Sequence, residues 1–574
     1  MSRKKCDVTE NQPDPQDTSR RQLLAATGVG LAALSTAACA VEDGDQSRGA
    51  SSASVPDSCD PAATAAAKAE RIANAPKAPF DSIRDYFAAL DAHGLLLRIP
   101  RVDQDQYQMT GIVFRSSDRY GVFSAPALMF EKIKINGQWM DGPIVANHQG
   151  SMHTDCIVFG IEPDPDDIFV SYRKAKAYAT RLLETTDTGR YPLIPPIEVS
   201  REQAPCKEVV VSGDDVNLLS FPFVQTNPAD GGRYLNTGSV FTSDPEMGNN
   251  FGTYRCQIKG PRKLMVNSSS VHQGYKMMVA AKKRGEQTVP VSIVVGQDPV
   301  TWFLSSSPVV RRRESVVIDE LAIAGGMRGK PIETVKSETS DIMVPAHAEM
   351  VIEGEVPLDG PLEREGPFGE MFGYLGPANP ANLWMNITTI THRRDPWVMN
   401  AYTGMQRGMV SAPMDCMLET GLRWRVPNLV DIAFGQDVFG VLFMSIDKTA
   451  SGQGLKAGLT VADMLPLAKV VVVVDKDINV LDRTAVVFAM GSRWQPDPAT
   501  AIIADARGMP TDPSQLVEGE TSKIVIDATR QWPEEGGRDQ FPETNRALLQ
   551  QLAPNVFEEV DALYGQTLVD YRQV

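Results

Sequence analysis

The chain has 574 residues, of which 42% are hydrophobic and 22% charged, enough to bury a large core and to fold as two to four domains. Its formal charge of −16 argues against a nucleic-acid partner, because binding to a phosphate backbone requires a basic surface. The seven cysteines form no CxxC pair or compact Cys/His cluster, so the sequence predicts neither a zinc site nor a dense disulfide framework.

The first forty residues predict a twin-arginine export signal. Ser19-Arg20-Arg21-Gln22-Leu23-Leu24 precedes an apolar run, rich in alanine and glycine, that extends to Ala38. This run is too short, and its side chains are too small, for a membrane span. We therefore expect the twin-arginine translocase to be a partner and the mature protein to be exported, periplasmic or anchored on the periplasmic side of the membrane. The alternative is an amphipathic or disordered N-terminus.

Two cleavage sites are compatible with this signal. Cleavage after Ala40 leaves no anchor, whereas cleavage before Cys39, in the lipobox-like Thr36-Ala37-Ala38-Cys39, leaves a lipid anchor. Residues 41–76 are rich in Ala, Ser, Asp and Pro and predict a mobile tether. Because the twin-arginine route carries folded proteins, often with a cofactor installed, the signal favours a cofactor enzyme.

Residues 77–205 predict an N-terminal α/β domain. Ser82 is the expected N-cap of a helix whose apolar residues recur at helical spacing from Ile83 to Leu90, and His93-Gly94 ends that helix. The further predicted elements are strands at residues 95–99, 127–133 and 143–146 and a helix at residues 168–184.

The remaining chain predicts two more domains. Residues 206–405 contain short β-branched segments separated by Gly, Pro and Asp turns, which is typical of a β-barrel or sandwich, with one helix expected at residues 315–325. In residues 406–574, five consecutive valines between Lys469 and Asp475 predict a strand buried on both faces, as in a parallel sheet. Helices expected at residues 482–491, 545–552 and 557–564 complete a C-terminal α/β domain.

The segment 363–374, Glu-Arg-Glu-Gly-Pro-Phe-Gly-Glu-Met-Phe-Gly-Tyr, combines three carboxylates, an arginine and three glycines with aromatic residues. Pro367 excludes a regular helix interior, and the glycines permit backbone angles or close approaches that a side chain would block. The segment therefore predicts a loop of fixed shape that directs Glu365 and Glu370. The alternative is a surface turn that carries charge because turns commonly do.

Three further segments carry polar residues that a barrel strand does not need: Asn-Asn-Phe-Gly-Thr-Tyr-Arg at 249–255, Ser-Val-His-Gln-Gly at 270–274, and Val-Lys-Ser-Glu-Thr at 335–339. Together with segment 363–374 and the strand at 469–477, they resemble the UbiD family of decarboxylases, which use prenylated flavin mononucleotide (prenylated FMN). The five motifs occur in the family's order, and the resemblance extends from about Ser82 to the late 490s. It implies a central split β-barrel that binds the flavin, flanked by two α/β domains.

The resemblance also implies a set of cofactor contacts. Asn250, His272 and Glu338 would bind a divalent ion, manganese or magnesium, that bridges to the cofactor phosphate, with potassium as a further candidate. An amide oxygen, an imidazole and a carboxylate suit these ions better than thiolates do. The other implied cofactor-binding residues are Thr253, Arg255, Gln273 and Lys469. Lys469 would reach the phosphate, although a lysine at the start of a buried strand could equally extend to solvent.

Arg255, Glu365 and Glu370 match the family's Glu-Arg-Glu triad, which implies that they are the catalytic residues. An arginine between two carboxylates can hold a substrate carboxylate by a bidentate pair, and Glu370 would be the proton donor. The implied reaction is the reversible, non-oxidative decarboxylation of an aromatic or α,β-unsaturated carboxylic acid by cycloaddition to prenylated FMN. A flavin prenyltransferase would supply the cofactor, and a homodimer or larger homo-oligomer would form through the C-terminal domain.

Two alternatives remain open. One is an exported flavin- or metal-binding protein that has kept the fold and lost turnover; the other is a redox flavoenzyme, because split-barrel domains also bind flavin for reduction chemistry. The sequence has no GxGxxG after a strand, which argues against nicotinamide binding. The substrate itself is not determined, since the apolar pocket candidates suit a protein core as well. These candidates are Met371, Phe372, Leu375, Met399 and Tyr402.

Overall fold

The computed structural model describes residues 61–186, 190–268, 272–307, 319–405, 407, 412–434 and 437–570. The predicted export signal, Cys39 and residues 41–60 of the predicted tether lie outside these ranges. Among the described residues, no helix is both long enough and apolar enough to cross a membrane.

The second part of the predicted tether, which was expected at residues 41–76, is helical. Helix α1 spans Pro61–Asn74, so the prediction of a mobile tether is wrong for these residues. Their sequence contains seven alanines, and alanine has the highest helix propensity. The next helix, α2 (Ile83–Ala92), begins at the predicted N-cap, where the Ser82 hydroxyl accepts a hydrogen bond from the Asp85 amide.

The N-terminal α/β domain is built on a five-stranded sheet whose last strand comes from much later in the chain. Val398–Asn400 pairs in parallel with the strand that ends at Ala146, so the predicted boundary near residue 205 does not separate two independent sheets. The elements contributed by the N-terminal region are β1 (Leu96–Ile99), β2 (Val102–Asp103), α3 (Gln108–Tyr120), β3 (Ala127–Ile135), β4 (Gln138–Ala146), α4 (His153–Val158) and α5 (Ile168–Glu184).

The middle region forms a ten-stranded sheet in which every pairing is antiparallel. Its strands are β6 (Val209–Ser212), β7 (Tyr234–Leu235), β8 (Ser239–Asp244), β9 (Gly248–Thr253), β10 (Cys256–Gly260), β11 (Lys263–Val266), β12 (Thr288–Val295), β15 (Met350–Pro357), β16 (Glu363–Glu365) and β19 (Asn379–His392). The strand order is β7-β10-β11-β19-β15-β12-β8-β9, with β6 and β16 also pairing with β19.

Smaller elements surround this sheet. They are β5 (Ile197–Glu198), α6 (Gln273–Lys283), α7 (Pro299–Ser306), α8 (Glu320–Arg328), β13 (Glu333–Lys336), β14 (Met343–Pro345), β17 (Phe368–Gly369), β18 (Leu375–Gly376) and β20 (Val398–Asn400). The helix expected at residues 315–325 corresponds in its described part to α8, which begins five residues later because Asp319 caps it through the Leu321 amide.

The C-terminal region forms a five-stranded sheet in the order β21-β22-β23-β25-β24. The valine strand β23 pairs in parallel with both neighbours, as the sequence predicted. The elements are α9 (Ala412–Arg423), β21 (Leu429–Phe434), β22 (Val441–Ile446), α10 (Gln453–Met464), β23 (Val470–Asp475), α11 (Arg483–Arg493), β24 (Thr500–Arg507), β25 (Glu520–Ala528), α12 (Asn545–Leu552) and α13 (Val556–Asp570). The chain thus has the expected multi-domain α/β fold.

Candidate active site

Arg255 lies between two carboxylates. Arg255 is in the link between β9 and β10, Glu365 ends β16, and Glu370 follows β17. The Arg255 Nε and Nη2 atoms donate to the two carboxylate oxygens of Glu365 at 3.0 and 2.9 Å, while Nη1 donates to Glu370. The structure therefore brings together the three residues implied as catalytic, which are 110 and 115 positions apart in sequence.

The loop that carries the two glutamates is held in shape by a second loop. A Cβ atom on Gly231 would lie 2.4 Å from the Gly366 carbonyl oxygen, so glycine is required for this approach. The buried side chain of Gln257 joins both loops: its Oε1 atom accepts from the Gly366 amide at 3.0 Å and its Nε2 atom donates to the Gly231 carbonyl at 2.5 Å. This arrangement agrees with the fixed loop predicted from Pro367 and its neighbouring glycines.

The two carboxylates differ in their surroundings. The side chain of Glu365 is 0% exposed, whereas that of Glu370 is 16% exposed. The Tyr234 hydroxyl also lies 3.1 Å from Glu365 Oε1. Burial alone would lower the pKa of Arg255, but its hydrogen bonds and charge interactions with Glu365 and Glu370 raise it, so the guanidinium stays charged. The site combines one fixed cation, one enclosed carboxylate and one carboxylate that solvent can reach.

Asn250 and His272, two of the three implied metal ligands, both contact Tyr254. The Tyr254 ring is 4.9 Å from the His272 ring, and its hydroxyl is hydrogen bonded to the Asn250 side chain. Burial lowers the pKa of His272, which favours the neutral imidazole that a metal ion requires.

Glu338, the third implied ligand, lies elsewhere, and its assignment as a metal ligand is wrong. Its carboxylate is 3.2 Å from Arg201 Nε and 3.5 Å from Lys207 Nζ, and its amide donates to Glu353 on β15 at 2.9 Å. Three strand pairings lead across the sheet from Glu353 to β9. Strand β15 pairs with β12, β12 pairs with β8, and β8 pairs with β9, where Phe251 is the residue in register. Three strand spacings, about 14 Å, therefore separate Glu353 from β9, the strand that carries Asn250.

Glu320 is the carboxylate that the structure places beside Asn250. Its Oε2 atom accepts from the Phe251 amide at 3.0 Å, and its charge contributes to raising the pKa of Tyr254 to about 12, after the larger effect of burial. Asn250 and Glu320 line one cavity of about 220 Å³. Together with His272 they offer an amide oxygen, an imidazole and a carboxylate, which fit a divalent ion such as manganese or magnesium.

The sequence offered only a weak signal for Glu320. It is the first residue of α8 and follows the capping residue Asp319, so it looks like an ordinary acidic residue in the first turn of a helix. Only the packing of α8 against β9 shows that its carboxylate turns toward the sheet.

The other implied cofactor contacts are distributed around these two groups. The Thr253 hydroxyl is hydrogen bonded to Ser305 at 2.8 Å, and Gln273 begins α6 directly after His272. Lys469 Nζ contacts Asp512 at 2.9 Å and also Ser514, so its amine is engaged within the C-terminal domain. Its role at a phosphate stays a prediction.

The apolar pocket candidates divide into two groups. Met399 and Tyr402 are 2% and 0% exposed and belong to the hydrophobic core, so the alternative interpretation holds for them. The other three are on the loop that carries the glutamates or directly after it: Met371 and Phe372 are half-buried and Leu375 is exposed. The Phe372 ring is 6.1 Å from the Phe439 ring of the C-terminal domain.

Comparisons with known proteins agree with this architecture. Residues 197–406 match the family model of the 3-octaprenyl-4-hydroxybenzoate carboxy-lyase Rift-related domain, and residues 408–528 match that of the C-terminal domain of the same enzymes. The two matches together span more than half of the chain.

Individual relatives are similar over most of their length. The phenolic acid decarboxylase of Sedimentibacter hydroxybenzoicus is 28% identical over 472 residues, which are 79% of this chain and 93% of the relative. The open-form structure of the vanillic acid decarboxylase of the same organism has a TM-score of 0.70 at 25% identity, covering 84% of this chain and 99% of that one.

A second solved structure contains a flavin. It is the UbiD-class enzyme HmfF from Pelotomaculum thermopropionicum in complex with FMN, with a TM-score of 0.67 at 26% identity, covering 81% of this chain and 97% of that one. Fold, site geometry and family matches agree: the chain belongs to the UbiD family of carboxy-lyases.

Proposed function

We propose that this protein is a prenylated-FMN-dependent decarboxylase of an aromatic or α,β-unsaturated carboxylic acid. The observation that carries the proposal is Arg255 held between Glu365 and Glu370, with the neighbouring Asn250, His272 and Glu320 as a second polar group. Relatives named as decarboxylases of phenolic and vanillic acids support an aromatic substrate, and the FMN bound to HmfF supports a flavin.

The metal and the cofactor would be held by residues of the middle domain. Asn250, His272 and Glu320 would bind manganese or magnesium next to the flavin phosphate, because an ion there offsets phosphate charge that is costly to bury. When bound, prenylated FMN supplies the cycloaddition chemistry that makes loss of carbon dioxide possible.

Arg255 would orient the substrate. Glu365 fixes two of its nitrogens through a bidentate contact, so the guanidinium plane cannot rotate freely. The third contact, from Nη1 to Glu370, is the one that a substrate carboxylate can replace, because Glu370 is the partly exposed partner. A substrate carboxylate at Arg255 would thereby be placed beside Glu370.

Glu370 would transfer the proton. After carbon dioxide leaves, the carbon that carried it needs a proton, and Glu370 is the carboxyl group of this triad within reach of solvent for exchange. General acids of this kind typically contribute about 10²- to 10⁴-fold to the rate. The same residue would act as the base in the carboxylation direction, so either direction is compatible with this assignment.

Export and oligomeric state extend the proposal. The twin-arginine motif supports a location outside the cytoplasmic membrane, which a fractionation of cells with and without Arg20→Lys and Arg21→Lys would test.

The C-terminal helices α12 and α13 carry exposed apolar side chains, including Leu552 at 81% and Leu563 at 72%, which supports a homodimer or larger homo-oligomer through this domain. Light scattering of the purified protein would measure its mass.

The experiment that tests the main proposal is the analysis of molecules released from the purified protein. The protein would be produced with and without a flavin prenyltransferase, its released small molecules identified by mass spectrometry, and its metal content measured. We expect prenylated FMN with manganese or magnesium, and release of carbon dioxide from an aromatic acid. A protein that stays empty beside an active prenyltransferase would favour a binding protein without turnover, and nicotinamide oxidation would favour a redox flavoenzyme.

A further inference from the structure

Tyr234 contacts Glu365, the buried carboxylate of the triad. Its hydroxyl oxygen is 3.1 Å from Glu365 Oε1 and 3.2 Å from the Pro367 carbonyl oxygen. The side chain is 1% exposed, and its ring packs on that of Phe368 with centroids 4.5 Å apart. Phe368 in turn lies under the Arg255 guanidinium, whose Cζ atom is 5.3 Å from the ring centroid. One tyrosine therefore contacts the glutamate, the loop backbone and the aromatic ring that supports the arginine.

We propose that Tyr234 is a positioning residue that keeps Glu365 as the permanent partner of Arg255 and so leaves Glu370 as the exchangeable partner. This inference rests on the proposed function. The hydroxyl has one hydrogen and two acceptors, and an ionised carboxylate is the stronger acceptor of the two. With this bond, Glu365 has three donors around it, two from Arg255 and one from Tyr234, whereas the contact that Arg255 makes with Glu370 is a single hydrogen bond.

Tyr234 stays a donor over the working pH range. Burial, followed by the negative charge of Glu365, raises the pKa of its phenol well above the usual range, so the hydroxyl keeps its proton. The other groups whose charge acts on this part of the triad are Lys259, Cys256 and Asp230. Burial raises the pKa of the Cys256 thiol, which keeps it neutral, and Lys259 is largely exposed. Among these groups, Tyr234 is the neutral donor in contact with Glu365.

The substitution Tyr234→Phe removes the hydroxyl and keeps the ring that packs on Phe368. Tyr191→Phe is the matched control, because Tyr191 is also buried and its hydroxyl donates to the Pro413 carbonyl, away from the triad. In Tyr234→Phe, Glu365 loses one of its three donors and holds Arg255 less firmly, so KM for the acid should rise about tenfold at a nearly unchanged kcat, the worth of one hydrogen bond to a charged group. Tyr191→Phe should leave KM unchanged.

A melting experiment on the full chain without added cofactor tests the same contact without turnover. The apparent Tm is measured for Tyr234→Phe, Glu365→Gln and the double variant, and for the same cycle with Tyr191→Phe. We expect the losses of Tyr234→Phe and Glu365→Gln to be non-additive, because each removes the same bond, and those of the control pair to add. Additive losses in the first cycle, or a KM that rises equally in Tyr191→Phe, would overturn the role of Tyr234. Because melting needs no substrate, an inactive wild-type protein would contradict the proposed reaction and leave this test intact.

Discussion

Among the described residues, two of the cations that lie between two carboxylates have different settings. Arg255 lies between Glu365 and Glu370, and Lys176 lies between Glu419 and Asp431. The Lys176 group joins α5 to α9 and β21, which are regular elements packed over most of their length. The Arg255 group joins a strand connection to a glycine-rich loop. Of these two groups, one thus lies between packed elements and the other on loops.

The difference shows that the ion pairs themselves do not identify an active site. In the Lys176 group the three side chains are between 6% and 21% exposed, and the neighbouring Asp415 and Tyr172 are also buried and joined by a hydrogen bond of 2.8 Å. Burial alone would lower the pKa of Lys176, but the charges of Glu419, Asp431 and Asp415 raise it, so the lysine remains charged. We infer that the Lys176 group holds packed elements together and that the Arg255 group, which is on loops, serves catalysis.

The largest predicted effect is the loss of activity on substitution of Glu370 in the Arg255 group. Glu370→Gln should reduce decarboxylation by at least about 10²-fold while prenylated FMN and metal remain bound, because the amide cannot donate a carboxylic proton. Product formation and released cofactor would both be measured. Glu363→Gln is the control, since Glu363 is on the same segment but pairs with Lys263 at the surface. Equal rates for Glu370→Gln and wild type would remove Glu370 from the mechanism.

The corresponding substitution in the Lys176 group is Lys176→Met. It leaves Asp431 without its cation and Glu419 with only Arg423, at 3.5 Å, and breaking a buried pair typically costs about 3–5 kcal/mol in the free energy of unfolding. The midpoint of chemical denaturation should fall accordingly, while the turnover rate of the folded fraction is retained. Lys132→Met, which removes an exposed pair with Asp141, should cost no more than about 1 kcal/mol. A Lys176→Met protein that is stable but inactive would reverse our assignment of the two groups.

The metal site gives a third, smaller contrast. Glu320→Gln should weaken manganese or magnesium binding by at least about tenfold, because the amide replaces a charged ligand beside Asn250. Glu338→Gln should leave the affinity unchanged, because Glu338 pairs with Arg201 and Lys207 instead. Titration calorimetry on metal-stripped protein would measure both. Weaker binding in Glu338→Gln alone would restore the ligand that the sequence suggested.

A further predicted effect concerns pH and the Lys176 group. Burial raises the pKa of Asp415 from 3.8 to about 7, so between these values the folded protein holds a proton that the unfolded chain has lost. That contribution to stability is complete below pH 4 and is lost as the pH rises toward 7, by up to about 1.4 kcal/mol per pH unit. Asp415→Asn should therefore flatten the decline of the apparent Tm between pH 5 and 7. Parallel curves for Asp415→Asn and wild type would show that Asp415 is already ionised there.

Local sequence signals predicted much of the fold. Ser82 caps its helix as expected, and the helix at residues 168–184 has the predicted bounds. The valine strand between Lys469 and Asp475 pairs in parallel with both of its neighbouring strands. Each of these depends on residues that are close in sequence, such as a cap, a period or a run. Glu365 and Glu370 also stood out in the sequence, because the glycines and carboxylates of their loop serve no ordinary packing purpose, whereas Arg255 was implied only by the resemblance to the family.

The failures depend on contacts between distant residues. Glu338 was predicted as a ligand because a sequence motif surrounds it, and Glu320 was missed, because the position of β15 relative to β9 is visible only in the folded sheet. Strand Val398–Asn400 joins the N-terminal sheet across more than 250 residues, which no local pattern reveals. Helix α1 was missed for a different reason, since its alanine-rich composition was interpreted as disorder rather than as helix propensity.

The most direct test of the account is deuterium incorporation during turnover. Protein loaded with prenylated FMN and manganese would be incubated in D2O with an aromatic acid that it decarboxylates, and the product analysed for wild type, Glu370→Gln and Glu363→Gln. The account predicts one deuterium at the carbon that loses carbon dioxide in wild type and Glu363→Gln, and almost no product from Glu370→Gln. Labelled product formed at the wild-type rate by Glu370→Gln would contradict the claim that the Arg255 group performs the chemistry.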